Sequence, residues 1–199
     1  MTSTPIHLLV ALPAEAKPLI RAFGLKRLPP DGEAPRYVKG ALSLTLTGLG
    51  MEAAGSALAS LYRQSEGHRR HWINLGIAGH ARLEPGVCLL ADEITDSHTG
   101  EQWRLNPIRD LPETTIGPLR SVREAETAFA TTAGYDMESA AIARTLSKFG
   151  TLAKLQVLKI ISDNPEHSSR HISGRMVSEL IERQLPTLES LIARLQTHA

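Results

Sequence analysis

Cysteine is almost absent from this 199-residue chain: Cys88 stands alone, so no intramolecular disulfide and no cysteine-based zinc cluster can form. A reducing, cytoplasmic setting fits that usage. Charge of one sign is lacking too. The 22 Lys plus Arg balance 21 Asp plus Glu, for a formal net charge of +1. That leaves no broad basic footprint for a polyanion and argues against a dedicated binder of nucleic acid or of a membrane surface. Long hydrophobic runs are missing as well. The stretch Ile6 to Leu12 is too short to span a bilayer or to act as a signal core, and Met1 to Pro5 place no basic segment before it. No internal repeat and no low-complexity linker is visible. With 42% apolar residues, the composition reads as one ordinary globular domain over residues 1–199 whose partner is a small molecule.

The apolar run Ile6 to Leu12 has the length and composition of a buried strand closed by Pro13. Glu15 to Phe23 follows with helical spacing. Tyr37 to Lys39 and Leu42 to Thr47 flank Gly40-Ala41 and predict two antiparallel strands. A helix is expected over Met51 to Arg63. Strands are expected over Trp72 to Ile77 and Val87 to Ile94, separated by a loop from Ala78 to Gly86. Residues 95–120 hold Gly100, Pro107, Pro112, Gly117 and Pro118 with little periodicity and read as a loop or flap. Ser121-Val122-Arg123-Glu124 fits a capping box, so a helix is expected from Ser121 to Gly134, with Phe129 on its core face. Met137 to Leu146 reads as a further helix, Leu155 to Ile161 as a strand, and His171 to His198 as a long amphipathic helix interrupted at Pro186. This alternation predicts a three-layer α/β/α sandwich around a mixed central sheet.

Ligands of α/β sheets bind beyond the carboxyl ends of strands. Candidates are therefore Glu15 after the first strand, Gly48-Leu49-Gly50 after the third, Asn74 to Gly79 on the next, Ser162-Asp163 on the last, and Asp136-Met137-Glu138 at a strand-to-helix junction. Glycine turns allow close backbone approach to a ligand, but they also serve packing alone. Gly48 and Gly50 do not open a dinucleotide fingerprint, because Ala53 stands in the third glycine position. One carboxylate at a strand end is more often a cap or ion-pair partner than a catalyst. Glu15, Glu138 and Asp163 on one sheet edge are more specific than any of them singly. His167 and His171 have a spacing used for metals, yet they fall in a loop with no third ligand in register, so no metal is expected. Cys88 among Val87, Leu89 and Leu90 reads as packing, and His68-Arg69-Arg70-His71 as a solvated helix exit.

Five motifs in order carry a likeness: Val10 to Glu15, Thr47-Gly48-Leu49-Gly50, Asn74-Leu75-Gly76-Ile77-Ala78-Gly79, Tyr135 to Ala143, and Ile161-Ser162-Asp163. Together, over Ile6 to Asp163, they resemble the nucleoside phosphorylase superfamily, and most closely its 5′-methylthioadenosine/S-adenosylhomocysteine nucleosidase branch. The resemblance implies the phosphorylase/nucleosidase fold and hydrolysis of a purine N-glycosidic bond without metal or organic cofactor. It implies Glu15 as the base that deprotonates water and Met137 and Glu138 as the pair under the ribose. Asp163 is implied as the acid that protonates the purine at N7, with Ser162 helping to hold the base pocket. Gly48, Gly76, Ile77, Ala78 and Gly79 are implied as backbone around the substrate, and a homodimer as the assembly.

The residue types suit that chemistry. Positive charge develops on the sugar and negative charge on the leaving base, so an acid is needed at the purine and carboxylates around the sugar. Asp163 has to be protonated, while Glu15 and Glu138 are expected to work ionised. Superfamily phosphorylases hold phosphate with arginines and a hydroxyl in the glycine loop; here that loop offers Asn74 and Ile77, which favours water. Arg82, Arg104 and Arg120 keep phosphate open as the alternative nucleophile. The chain also departs from the resembling branch. Ile77 replaces a serine and Asp136 a glutamate, the stretch from Glu93 to Asp136 is short, and the segment that supplies a purine-stacking aromatic is missing, with Trp103 and Phe129 as candidate substitutes. Competing readings are a phosphorylase, a nucleosidase for futalosine or for an adenosyl hopanoid, and a nucleoside-binding protein without turnover.

Overall fold

A computed structural model describes residues 4–30, 34–64 and 69–197. Strand β1 (Ile6–Val10) is buried on both faces, which explains its unbroken apolar sequence. It runs parallel to both of its neighbours, β4 (Leu42–Leu46) and β5 (His71–His80). Between β1 and β4 come α1 (Pro13–Phe23) and the short strands β2 (Lys26–Arg27) and β3 (Arg36–Lys39). Helix α1 starts two residues earlier than the periodicity indicates. Proline suits the first helical position, where no N–H is needed. Gly24, left-handed at φ 62°, ends the helix. Helix α2 (Met51–Gln64) then leads to β5.

The second half departs from the sequence reading. Strand β6 (Cys88–Asp96) is followed by β7 (Gln102–Arg104), which folds back on it, and by β8 (Thr114–Ser121), which runs parallel to it. Part of the expected loop or flap at 95–120 is therefore sheet, while residues 105–113 are irregular. Pro118 sits in β8 opposite Glu93, where the register shifts, one of the places a strand accommodates proline. No helix runs from Ser121 to Gly134. The Ser121 hydroxyl donates to Asp136 Oδ1 at 2.5 Å and accepts from Ala140 N–H at 2.9 Å, so tertiary contacts take the group that the local pattern assigns to a cap. Residues 122–133 are irregular and lead into β9 (Gly134–Asp136) and α3 (Ser139–Lys148). Strand β10 (Leu155–Asp163) precedes α4 (Gly174–Arg183) and α5 (Leu185–Thr197). The C-terminal helix breaks at Gln184 rather than at Pro186, which is tolerated in the first turn of α5. His198 and His68 lie outside the described residues, as do Met1 to Ser3. His71 lies in β5 and Arg70 reaches Ser43 Oγ at 3.4 Å, so this part of the basic cluster is not a solvated helix exit.

Strands β5, β9, β8, β6 and β10 pair in a closed ring, because β10 bonds to both β6 and β5, while β1, β4, β3 and β2 continue the sheet outward from β5. Helices α1, α4 and α5 bury Ala16, Leu19, Val177, Ile181 and Leu191 on one side of the sheet. Helices α2 and α3 bury Ala54, Leu58, Ile142 and Leu146 on the other. Three layers result, with a mixed central sheet that curls closed at one end. The carboxyl ends of β1, β5 and β10 lie side by side in parallel register. That is where the candidate residues gather.

Candidate active site

A cleft of about 140 Å³ opens at this edge. Glu15, Ile77, Ala78, Gly79, Met137, Glu138, Ser162 and Asp163 all line it. Gly48 and Gly76 support the cleft without lining it. Gly48 takes φ +86° in the turn after β4, and Gly50, at φ +91°, turns its N–H toward Glu138 Oε1 at 2.8 Å. Both values suit glycine alone. At Gly76 a Cβ would stand 2.8 Å from Glu15 Oε1 and 3.4 Å from Lys159 Nζ, so the bare backbone makes room for a carboxylate.

Glu15 belongs to the first turn of α1, which turns it back under β1 and β5. Its Oε2 accepts from the N–H groups of Ala11 (3.0 Å) and Leu12 (2.8 Å), and Oε1 accepts from Ile77 N–H at 3.1 Å. The carboxylate is thus held by backbone alone, with acceptor capacity left on Oε1. Burial raises its pKa, opposed by these N–H groups and by Lys159. Glu138, at the entrance to α3, is pushed up to about 7 by burial, again opposed by Lys159 and reinforced by Asp136 and Glu15. Burial thus works against ionisation of both carboxyls, which the sequence reading takes as ionised: several acids share one buried space and one cation.

That cation is Lys159, which the sequence reading overlooks. It is fully buried in β10, with Nζ 2.9 Å from Asp136 Oδ2. Burial opposes its charge, but Asp136, Glu138 and Glu15 outweigh that and raise its pKa. Burial would likewise raise Asp136, yet Lys159 and the hydroxyls of Ser121 and Ser139 hold it below the usual carboxylate range. Asp136 thus joins β8, α3 and β10 beneath the cleft. The available signal was a single lysine in the largely apolar run Leu155 to Ile161, three residues on from Gln156. Asn74 is also committed: Oδ1 accepts from Ser139 Oγ at 2.7 Å and Nδ2 donates to the Leu9 carbonyl at 3.3 Å.

Asp163 ends β10. The Ser162 hydroxyl lies 2.5 Å from its Oδ1 and 3.3 Å from the Ala78 carbonyl. Burial raises the Asp163 pKa against that hydrogen bond, the direction a proton donor requires. Phe129 is not a helical core residue; it sits in the irregular segment with its ring against Gly79. Trp103, in β7, is buried beneath the Arg144 guanidinium at 5.3 Å and is not part of the cleft. Arg82 is exposed, Arg104 faces Glu93, and neither these nor Arg120 line the cleft. His167 Nδ1 is 3.1 Å from Asn164 Oδ1. Among the described residues no group of three or more His, Cys, Asp or Glu is placed to hold a metal, and no helix is long and apolar enough to cross a membrane.

The architecture defines a class, that of the phosphorylase/nucleosidase fold. Against solved structures, the chain superposes on 5′-methylthioadenosine nucleosidase of Arabidopsis thaliana with a TM-score of 0.84 at 14% identity, covering 98% of this chain and 97% of that one. It matches 5′-methylthioadenosine/S-adenosylhomocysteine nucleosidase of Helicobacter pylori with a TM-score of 0.72 at 16% identity, over 98% and 100% of the two chains. Futalosine hydrolase of the same organism matches at 0.70 and 16%, over 96% and 98%. No family model and no curated protein sequence matches the chain.

Proposed function

We propose that this protein is a purine nucleoside N-glycosidase that uses water to release the base from an adenine nucleoside of the methylthioadenosine or adenosylhomocysteine type. The observation that carries the reading is the convergence of Glu15, Glu138 and Asp163, from three separate elements, on one cleft. The reading assigns them the roles of hydrolytic base, ribose acceptor and purine acid. In this reading Glu138 accepts hydrogen bonds from the ribose hydroxyls above Met137. Glu15 removes a proton from a water that attacks the anomeric carbon. As the glycosidic bond breaks, its electron pair passes to the purine, and Asp163 delivers a proton to N7, so the base departs neutral. Glu15 ends protonated and Asp163 ionised, and solvent restores both.

Water is favoured over phosphate because no arginine or lysine lines the cleft among the described residues, and a phosphate dianion needs such partners. Lys159 lies beneath and is already paired with Asp136.

The test is chromatography of free base from methylthioadenosine, adenosylhomocysteine, adenosine, inosine and futalosine, each with and without phosphate. Adenine release without phosphate is expected. Asp163→Asn and Glu15→Gln should each lower the rate by at least about a hundredfold, the usual reach of general acid or base catalysis, with the fold unchanged. Strict phosphate dependence would indicate a phosphorylase, and full activity in either variant would overturn the assigned roles. Binding of nucleosides without product over long incubation would leave a binding protein.

A further inference from the structure

The Asp163 carboxyl has a feature that Asp136 lacks. Among the described residues no cation acts on it, and its one hydrogen-bond partner is the Ser162 hydroxyl. Its protonation therefore depends on exclusion of water rather than on charge. The apolar group placed to exclude water is Phe129. A single point, where a side chain at Gly79 would begin, lies 2.7 Å from Phe129 Cε1, 3.2 Å from Phe129 Cζ and 2.8 Å from Asp163 Oδ2. Ring and carboxyl thus abut the same glycine, and nothing larger than its hydrogen fits there.

Phe129 reaches this place at a conformational cost. Its φ is +46°, a left-handed value that a bulky residue adopts only when its surroundings impose it, at about 1–2 kcal/mol. Two anchors impose it. The Tyr135 hydroxyl accepts from Thr131 N–H at 2.9 Å and lies 2.8 Å from Thr131 Oγ1, while the Tyr135 ring meets Phe129 edge-on, with centroids 5.8 Å apart at 72°. On the other side, His80 Nδ1 accepts from the N–H groups of Arg82 and Leu83 at 3.0 and 2.9 Å. That leaves Nε2 as the protonated nitrogen, where the Thr132 backbone opposes the fall in pKa that burial causes. The segment is pinned on both sides of the strained residue's ring, at Gly79 and Tyr135, both of which line the cleft.

Building on the proposed glycosidase chemistry, we propose that Phe129 is a positioning residue: it walls the Asp163 carboxyl off from water at the base end of the cleft, so that the group meets the purine as a proton donor. It acts through Asp163 and Gly79.

The test is a carboxyl-carbon NMR titration of wild type, Phe129→Leu, Phe129→Val and Phe129→Ala, with Asp163→Asn to assign the signal and thermal melting to verify folding. The Asp163 midpoint should fall in order of apolar surface removed, by at least about one pH unit in Phe129→Ala, a tenfold change in proton affinity. Phe129→Leu should stay near wild type. The basic limb of kcat/KM should move down by the same interval, which a merely structural role would not produce. Should the alanine variant not fold, the leucine and valine variants carry the same comparison. An unchanged midpoint across the folded variants would overturn the inference. The titration needs no turnover: absence of base release from every nucleoside would overturn the proposed function alone, and base release with an unmoved Asp163 midpoint would overturn this inference alone.

Discussion

Lys159→Met is the substitution that most directly tests how the cleft is held together. Methionine fills a similar volume in β10, but it removes the one ammonium beneath the site and leaves Asp136 buried, with Oδ2 having lost a partner at 2.9 Å. Breaking a buried pair from one side costs about 3–5 kcal/mol, because an uncompensated charge remains. The cost depends on pH in a defined way. In the wild type Asp136 is held below the usual carboxylate range, so its contribution is present above the unfolded value and is lost only as pH falls through the lower folded one. Without Lys159, burial is left to raise the Asp136 pKa, and the ionised form is penalised at every pH above the unfolded value. The gap between wild type and variant should therefore be widest near pH 8 and shrink toward pH 5 as Asp136 takes up a proton in the variant. In chemical denaturation the expected loss at the upper end is about 3–5 kcal/mol, or roughly 6 to 20 °C in Tm for a chain of this size. Adding Asp136→Asn should recover part of it, since the amide removes the stranded charge. A loss under about 1 kcal/mol, the scale of an exposed pair, or a gap that does not vary with pH, would refute the reasoning.

Gly76→Ala would place a Cβ 2.8 Å from Glu15 Oε1, closer than such contacts allow, so the carboxylate should be displaced and base release lost while far-UV circular dichroism stays native; full activity would show that Glu15 has slack. At the far end of β1, His7 is pushed down to about 3 by burial and by Arg70 and Arg36. Below pH 6.5 the unfolded chain takes up a proton that the folded chain refuses. The advantage of wild type over His7→Gln should then shrink by about 1.4 kcal/mol per pH unit, and a gap independent of pH would contradict the burial argument. The comparison with the variant is essential, because Glu138, raised to about 7, works in the opposite sense: its folded form gains protons, and stability, as pH falls from neutrality.

The first half of the chain was legible because each strand there is marked by its own composition. Ile6 to Val10 is apolar throughout, as a strand buried on both faces must be, and Gly40 marks the β3 to β4 turn at φ +58°. The second half was not, for reasons that are also local. Ser121 to Glu124 spells a helix start, and Ser121 spends that capacity on Asp136 and Ala140 instead, partners that no short window reveals. Pro118 and Gly117 argued against a strand, yet β8 tolerates them at a register shift. In the cleft, Glu15, Glu138 and Asp163 were visible because they stand beside motifs. Lys159 was hidden because a charged residue in an apolar strand reads as exposed until its partners are known. Phe129 was misplaced along with the helix assigned to it.

The two ends of β1 bury polar groups on opposite principles, and the contrast locates the chemistry. At His7 both ring nitrogens are matched by hydroxyls, Ser43 Oγ at 2.6 Å and Thr45 Oγ1 at 2.8 Å, and the ring packs on Trp72 at 5.2 Å. The imidazole is kept neutral and both of its nitrogens have partners, so a ligand has nothing to add to it. At the other end Glu15, Asp136 and Glu138 surround a single ammonium. Asp136 takes the direct contact, leaving Glu15 and Glu138 raised. A buried excess of negative charge is costly unless protons or a cation relieve it. A sugar that acquires positive charge only as its glycosidic bond breaks would relieve it at that moment and not before. On the proposed glycosidase reading, such a site would favour the transition state over the ground state. The same excess disfavours a phosphate dianion, so the charge balance that explains the raised carboxyls also argues for water as the nucleophile.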